Sequence, residues 1–456
     1  VKNRVLVLLL LAVLAGWGIY SWQQVPVDAY PELTNNQVQI LTRVPGMSPV
    51  EVEKLVTYPI EINMTNLEGV TKNRSLSQFG LSVVTLVFEE DMDPYFVRRL
   101  VSQRLNQVKG DLPEKAEPSL GPLSTALGQV YQYALVDKPN DGRTYTSREL
   151  RTMQNWILAP ELRTVNGVVE ANALGGFVKQ YHVRFNPDQL VNYDLSLEEA
   201  YQALRESNQN SGGNYIVRND QQYVVRGVGR VGAGGKEEII PDIKNTVIAT
   251  RDGTPILVDD IATVEVNHAV RHGAASMNGR GETVIGIVMM RRGANAQQVV
   301  NDVQAKMEDL KPALPPGVGV EVVYNRNELT SAAIGNVTTS LLIGGLLVLL
   351  VLLSFLGDWR SALIVSLVLP MTALITFILM NYFGFKANLM SLGGLAIGLG
   401  MFVDGAIVMV ENIYRLRKEN PDASIGLVVV RAGREVARPI AFSVGVVIAV
   451  FLPLFT

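Results

Sequence analysis

The sequence predicts an α+β multidomain membrane protein, a transmembrane helix bundle joined to water-facing subdomains of βαββαβ order, one of them split by an insertion. Three observations lead there. Of the 456 residues 48% are hydrophobic and the mean hydropathy is +0.20. A soluble protein can match those totals, but here the apolar residues cluster into runs of the length that crosses a bilayer. Between the first run and the rest lies a long stretch of ordinary soluble composition in which strand and helix signals alternate. One late run, Leu389–Asn412, carries two carboxylates, Asp404 and Glu411.

The opening run, Val5–Tyr20, follows Lys2 and Arg4 and precedes Trp22. A basic start and apolar centre also describe a signal peptide, but no small-x-small cleavage site precedes the polar run. Trp17, Tyr20 and Trp22 look like an interfacial belt, so residues 1–23 are expected to be a retained membrane anchor. Four more spans follow within residues 331–456: Val337–Phe355, Ala362–Tyr382, Leu389–Asn412 and Ile440–Phe455. The chain starts with Val and stops inside an apolar run, so both ends look truncated. Arg415, Arg417, Lys418, Arg431, Arg434 and Arg438 lie between the last two spans, against Lys386 alone in the preceding loop. The positive-inside rule then puts the basic segment in the cytoplasm and the large region 23–330 outside.

In that outer region Val38–Val44 reads as a strand and Ser48-Pro49-x-Glu51 as a capping box opening a helix to about Met64. Strands at Thr71–Gln78 and Leu81–Phe88 and a helix from Asp93-Pro94 to Val108 complete a split, ferredoxin-like unit over residues 34–126. A second unit begins with a strand at Val130–Val136, a helix at Ser147–Leu162 and a strand at Val168–Leu174. It resumes with Thr283–Met290, Ala296–Leu310 and Val318–Val323. Residues 127–174 and 271–330 thus form one subdomain, and 175–270 is an insertion whose Asn219-Asp220 sits between alternating runs, as in a hairpin.

Val231–Gly235 is glycine-rich but is followed by Lys-Glu-Glu, so a surface loop fits better than a phosphate loop. His268 and His272 are four apart, yet they sit at a strand-to-loop junction and make a poor zinc pair. The absence of cysteine excludes disulfides, thiolate metal sites and cysteine nucleophiles in this stretch.

Asp404 and Glu411 are the candidate functional residues. A charged side chain at the centre of the hydrocarbon costs roughly 2.5–3.5 kcal/mol on insertion scales, so intramembrane acids mark sites before they mark packing. Seven residues apart, the two share one helix face about 10 Å from each other. Glu411 lies nearer the interface and can also reach water. Gly393, Gly394, Gly398, Gly400 and Gly405 suggest close approach of a neighbouring helix and a central place in the bundle. Intramembrane aspartyl proteolysis needs a second aspartate on another helix, and no other span has one.

Several runs resemble the heavy-metal efflux branch of the resistance–nodulation–division (RND) transporters. They are VPVDAYPELTNNQVQI (Val25–Ile40), PGMSPVEVEKLVTYPIE (Pro45–Glu61), RSLSQFGLSVVTLVFEEDMD (Arg74–Asp93), GPLSTALGQVYQY (Gly121–Tyr133) and VDGAIVMVEN (Val403–Asn412). The resemblance implies most of the first half of a twelve-span pump: a secondary active transporter, with no enzymatic activity and no cofactor, located in the bacterial inner membrane. It implies periplasmic ferredoxin-like (βαββαβ) subdomains, residues 34–126 as the pore subdomain, the divided unit as a porter subdomain and 175–270 as a docking insertion. Implied partners are a homotrimer, a periplasmic membrane-fusion adaptor, an outer-membrane channel, membrane lipid and a metal-ion substrate, with no nucleic acid.

On that resemblance Asp404 falls on the proton-relay aspartate and Glu411 on the VEN glutamate, and the relay's lysine partner belongs to the other half. Drug exporters usually have two adjacent aspartates where this chain has Asp404-Gly405. Divalent-metal pumps have an acid where this chain has Gly398. Copper/silver pumps lack it and carry methionines along this helix. Met390 and Met409 match two of those positions; the third is Phe402, with Met401 beside it. Thioether sulfur suits Cu(I) or Ag(I), so these are favoured over Zn, Co or Cd. The rival readings are an RND multidrug pump and a non-transporting membrane sensor with a periplasmic ligand-binding domain.

Overall fold

In the computed structural model, the described residues are 4–28, 30–31, 34–138, 144–232, 239–251, 253–271, 273–356 and 359–451. Helix α1 (Arg4–Gln24) is apolar all round, as an element facing lipid and other helices must be. It leads to strand β1 (Gln37–Arg43), in which Val38, Ile40 and Thr42 are buried and the residues between them are less so. Gly46, at φ +89°, turns the chain into α2 (Pro49–Val52). Ser48 and Glu51 close the expected capping box, with the Ser48 N–H donating to Glu51 Oε2 at 2.8 Å. A π-helical turn (Glu53–Thr57) joins α2 to α3 (Tyr58–Thr65). Strands β2 (Val70–Gln78) and β3 (Leu81–Phe88) follow, then α4 (Pro94–Val108), capped by Asp93, and β4 (Glu117–Leu120). The sheet order β2-β3-β1-β4 is that of a split βαββαβ unit. Its core interlocks Ile40, Val56, Ile60, Leu86 and Val101.

The second unit repeats the plan: β5 (Gln129–Asp137), α5 (Ser147–Met153), a π-helical turn (Gln154–Leu158), α6 (Ala159–Leu162) and β6 (Val168–Leu174). In both units the helix expected to be continuous is widened just before a proline, Pro59 or Pro160. Proline lacks the N–H of an ordinary turn and its ring crowds the preceding carbonyls, which a wider turn relieves.

An insertion with its own core departs at Gly175 and Gly176. A Cβ on Gly175 would stand 2.5 Å from the Thr283 carbonyl oxygen, and φ is +78°, so only glycine fits. The insertion comprises β7 (Lys179–Phe185), α7 (Pro187–Asn192), α8 (Leu197–Ser207), β8 (Ser211–Arg218), β9 (Gln221–Gly227), α9 (Ile239–Lys244), β10 (Val247–Arg251), β11 (Thr254–Leu257), α10 (Val258–Ile261) and β12 (Ala262–His268). β12 returns antiparallel to β7 and closes it. Asn219 and Asp220, at φ +53° and +59°, make the expected two-residue turn between β8 and β9. Every residue of that hairpin is exposed.

β13 (Ala275–Ser276), β14 (Glu282–Met290), α11 (Ala296–Leu310) and β15 (Val318–Asn325) complete the second unit. Its strands run β6-β14-β5-β15, with β13 also on β14. Tyr133 lies across Gly286, where a Cβ would come within 2.2 Å of the ring, and donates its hydroxyl to Gln154 Oε1 at 2.7 Å. Burial pushes the Tyr133 pKa up, so the hydroxyl keeps its proton. Tyr133→Phe leaves a buried amide oxygen unsatisfied and is expected to cost about 1–3 kcal/mol, read as a melting temperature lowered by several degrees in calorimetry of the outer region's transition.

β15 runs without a linker into α12 (Arg326–Leu356), followed by α13 (Trp359–Phe383), α14 (Leu389–Glu419) and α15 (Ile425–Phe451). Among the described residues Val5–Gln24, Trp359–Phe383 and Leu389–Glu419 are long and apolar enough to cross a membrane. α12 spans all of Val337–Phe355 as one helix. Of Ile440–Phe455, residues 452–455 lie outside the described residues. The basic segment between the last two spans is mostly helical rather than a loop: Arg415–Lys418 end α14, and Arg431, Arg434 and Arg438 lie on α15. α13 packs against α1, α12 and α14, and α15 packs on α14.

Candidate functional site: the acidic face of α14

Asn388 starts α14, accepting from the Ser391 N–H at 2.9 Å while the Ser391 Oγ accepts the Asn388 N–H at 2.8 Å. From there one side of the helix is buried: Leu392, Leu399 and Leu416, joined by the partly buried Leu395, Ala406, Val410 and Ile413. These recur at the three- and four-residue steps of a helix packing on neighbours. The opposite stripe is Met390, Ile397, Asp404, Glu411 and Lys418, seven apart and all exposed. The two carboxylates therefore share one face, as their spacing requires.

Among the described residues of this chain that face is uncovered. Among the described residues neither Asp404 nor Glu411 has a hydrogen bond or ion pair, since α12, α13 and α15 all pack on the other side. The glycines behave likewise: a Cβ on Gly393, Gly394, Gly398 or Gly400 would meet nothing within 4 Å. Gly405 alone of the five has a neighbour, Ile440 Cγ2 at 3.4 Å.

The methionines separate. Met390 is 72% exposed on the acidic stripe, and Met401, 41% exposed, flanks it. Met409 sits about 140° around the helix from Asp404 and points at Gly433 of α15, where a Cβ would lie 3.8 Å from its Cε. Met390 and Met409 are also about 28 Å apart along the axis, so the three thioethers do not converge on one ion. The side chain of Phe402 lies outside the described residues. Among the described residues no cluster of three or more His, Asp or Glu is placed to hold a metal. His268 Nδ1 donates to the Ala269 carbonyl, 3.0 Å away, and the ring packs at a tilt against Phe177; His272 and residues 233–235 of the glycine-rich run lie outside the described residues.

Two features were not anticipated from sequence. A mostly apolar cleft of about 590 Å³ opens beside the N-terminal half of α14, where Met380, Phe385, Leu395 and Leu399 line it together with Thr372, Thr376 and Ser391. Next to the exposed Glu411, Asn412 is buried and donates to the Ala432 carbonyl (3.2 Å) and Glu435 Oε2 (3.3 Å), while Arg415 donates to Asn412 Oδ1 (2.7 Å) and to Glu435 Oε2 (2.8 Å). The spacing Asn412-x-x-Arg415 was the available signal; the cross-helix partner Glu435 was not readable from spacing.

The chain resembles known proteins along its whole length. Protein HelA of Legionella pneumophila is 42% identical over 465 residues, covering all of this chain and 43% of HelA. The cobalt-zinc-cadmium resistance protein CzcA of Cupriavidus metallidurans is 40% identical, again over the whole chain and 43% of CzcA. The crystal structure of a heavy metal efflux pump superposes with a TM-score of 0.86 at 37% identity, covering the whole chain and 44% of that pump. The chain thus spans less than half the length of these relatives. The AcrB/AcrD/AcrF family model matches residues 1–456, and the chain belongs to that family, in the heavy-metal efflux branch of the RND transporters.

Proposed function

We propose that the chain is the first half of an inner-membrane proton/cation antiporter that exports heavy-metal ions as one component of a tripartite system. The observation that carries this is the Asp404–Glu411 stripe: two acids on a membrane helix of an efflux family, exposed among the described residues of their own chain. Left against hydrocarbon, that face is expensive. Helices of the second half cover it, with a lysine there as counter-charge. Asp404 takes a proton from the outer side and releases it inward. Loss and recovery of the ion pair shift α14, and the outer subdomains alternate in response. In vesicles containing the full-length pump, an imposed pH gradient drives metal-ion flux; flux indifferent to the gradient refutes antiport.

Cu(I) or Ag(I) is the favoured cargo over Zn, Co or Cd, because Gly398 removes a hard acid and Met390 adds a soft donor beside the stripe. Met390→Leu is expected to lower Cu(I) flux several-fold, whereas Met409→Leu, altering a contact with α15, leaves it within about twofold. Flux of Zn(II) exceeding that of Cu(I) in the same vesicles reverses the assignment.

The pump works as a homotrimer with a periplasmic membrane-fusion adaptor and an outer-membrane channel. The β8–β9 hairpin supports association: Tyr215, Ile216, Val217 and Val224 are 54–80% exposed together with Tyr223 at 52%, an apolar arm that no other described residue of the chain buries. Replacing residues 211–227 of the full-length pump by a short glycine-serine linker is expected to shift trimer to monomer in sedimentation, with folding of the remainder intact.

A further inference from the structure

A buried ion pair stands where the membrane helices meet the outer subdomains. Asp28 and Arg326 approach to 2.6 Å, with side chains 9% and 4% exposed. Arg326 is the first residue of α12, directly after β15, and Asp28 lies just beyond α1. Each is tied elsewhere through the backbone. The Asp28 N–H donates to the Ala387 carbonyl and the Ala387 N–H to the Pro26 carbonyl, both at 2.9 Å, in a short parallel bridge. Ala387 immediately precedes Asn388, the cap of the helix that carries Asp404. On the other side the Arg326 guanidinium donates to the carbonyl of Leu127, in the connection between the two βαββαβ units.

A buried pair adds little net stability over apolar residues of the same volume, because desolvation offsets the attraction; its better-attested use is to fix register between the parts it joins. The parts joined here are the start of α14 and the strand β15, which pairs with β5 from Asp137 to Tyr131. There is also room for a second arrangement. An open cleft of about 240 Å³ lined by Tyr30, Leu127, Gln129, Gln132, Tyr324 and Arg326 adjoins the pair, and the buried Arg326 Nε has no hydrogen-bond partner among the described residues.

We propose that Asp28 and Arg326 are positioning residues forming a strut that carries displacement of α14 through Ala387 into β15 and the Leu127 connection, and so into the outer subdomains. The proposal rests on the reading of Asp404 as a proton relay. It is tested in the reconstituted full-length pump with spin labels at the exposed positions Asp309, on α11, and Asp422, in the turn after α14. Asp404→Asn, fixed in the neutral state, shifts the interlabel distance distribution when the strut is intact. In an Asp28→Asn/Arg326→Gln background, which leaves no orphan charge, the shift is lost and metal flux per inserted pump falls at least about tenfold, with yield and oligomeric state unchanged. Arg326→Lys keeps the pair and restores most of the shift. An undiminished shift in the neutralised background overturns the strut alone, whatever happens to flux. Absence of any shift and of any flux loss on Asp404→Asn with the strut intact overturns the relay reading and the strut with it.

Discussion

Asp404→Asn in the full-length pump is expected to bring metal efflux to the background of empty vesicles while leaving membrane insertion and trimer assembly intact. The amide matches the carboxylate in size and still hydrogen bonds, but it neither takes up nor releases a proton. Asp404 makes no hydrogen bond or ion pair within its own chain among the described residues, so the substitution removes nothing that holds this half together. Glu411→Gln, about two helical turns toward the cytoplasmic end, is expected to reduce efflux only in part, since a carboxylate there has water within reach. Efflux is measured as pH-gradient-driven flux per inserted pump; wild-type flux from Asp404→Asn removes the relay assignment.

The second large effect is structural. A Cβ on Gly18 of α1 would stand 2.5 Å from the Leu374 Cβ and 3.0 Å from the Leu374 carbonyl oxygen of α13. Backbone cannot yield as a flexible side chain does, so Gly18→Leu forces the two helices apart. Overpacking of this kind costs typically about 1–3 kcal/mol and more where backbone must move. The amount of inserted, protease-resistant protein is expected to fall several-fold. Gly16→Leu, where a Cβ meets nothing within 4 Å, serves as the control and should leave that amount unchanged. Equal losses from both would show that helix propensity, not the crossing, is responsible.

How much of this was readable in the sequence follows from the range of the interactions. Local signals were sufficient where they are local: the Ser48–Glu51 capping box, the Asp93-Pro94 helix start and the Asn219-Asp220 turn all form as their residues dictate. The bounds Leu81–Phe88, Val168–Leu174 and Ala296–Leu310 follow from periodicity alone. The π-helical turns before Pro59 and Pro160 escaped, because proline's effect on a helix depends on what the preceding turn packs against. The glycine stripe of α14 pointed to a close helix approach; of its five glycines only Gly405 meets a neighbour among the described residues, and a tighter approach lies at Gly18, which no periodicity singles out. Small residues permit an approach without supplying the partner. Seven-residue spacing did put Asp404 and Glu411 on one face. Met409, nineteen residues from Met390, lies about 100° around the helix from it, but its contact with Gly433 depends on where α15 packs.

The account turns on Asp404 changing charge as protons move. The direct measurement is infrared difference spectroscopy of the full-length pump in membranes, stepped from a neutral to an acidic outer face. A carboxylic-acid carbonyl band that appears on acidification, reverses on return and is missing from Asp404→Asn is the predicted result. A wild-type spectrum identical to that of Asp404→Asn, with the carboxylate band constant throughout, would mean that the side chain stays ionised against a fixed cation, and it would contradict the account.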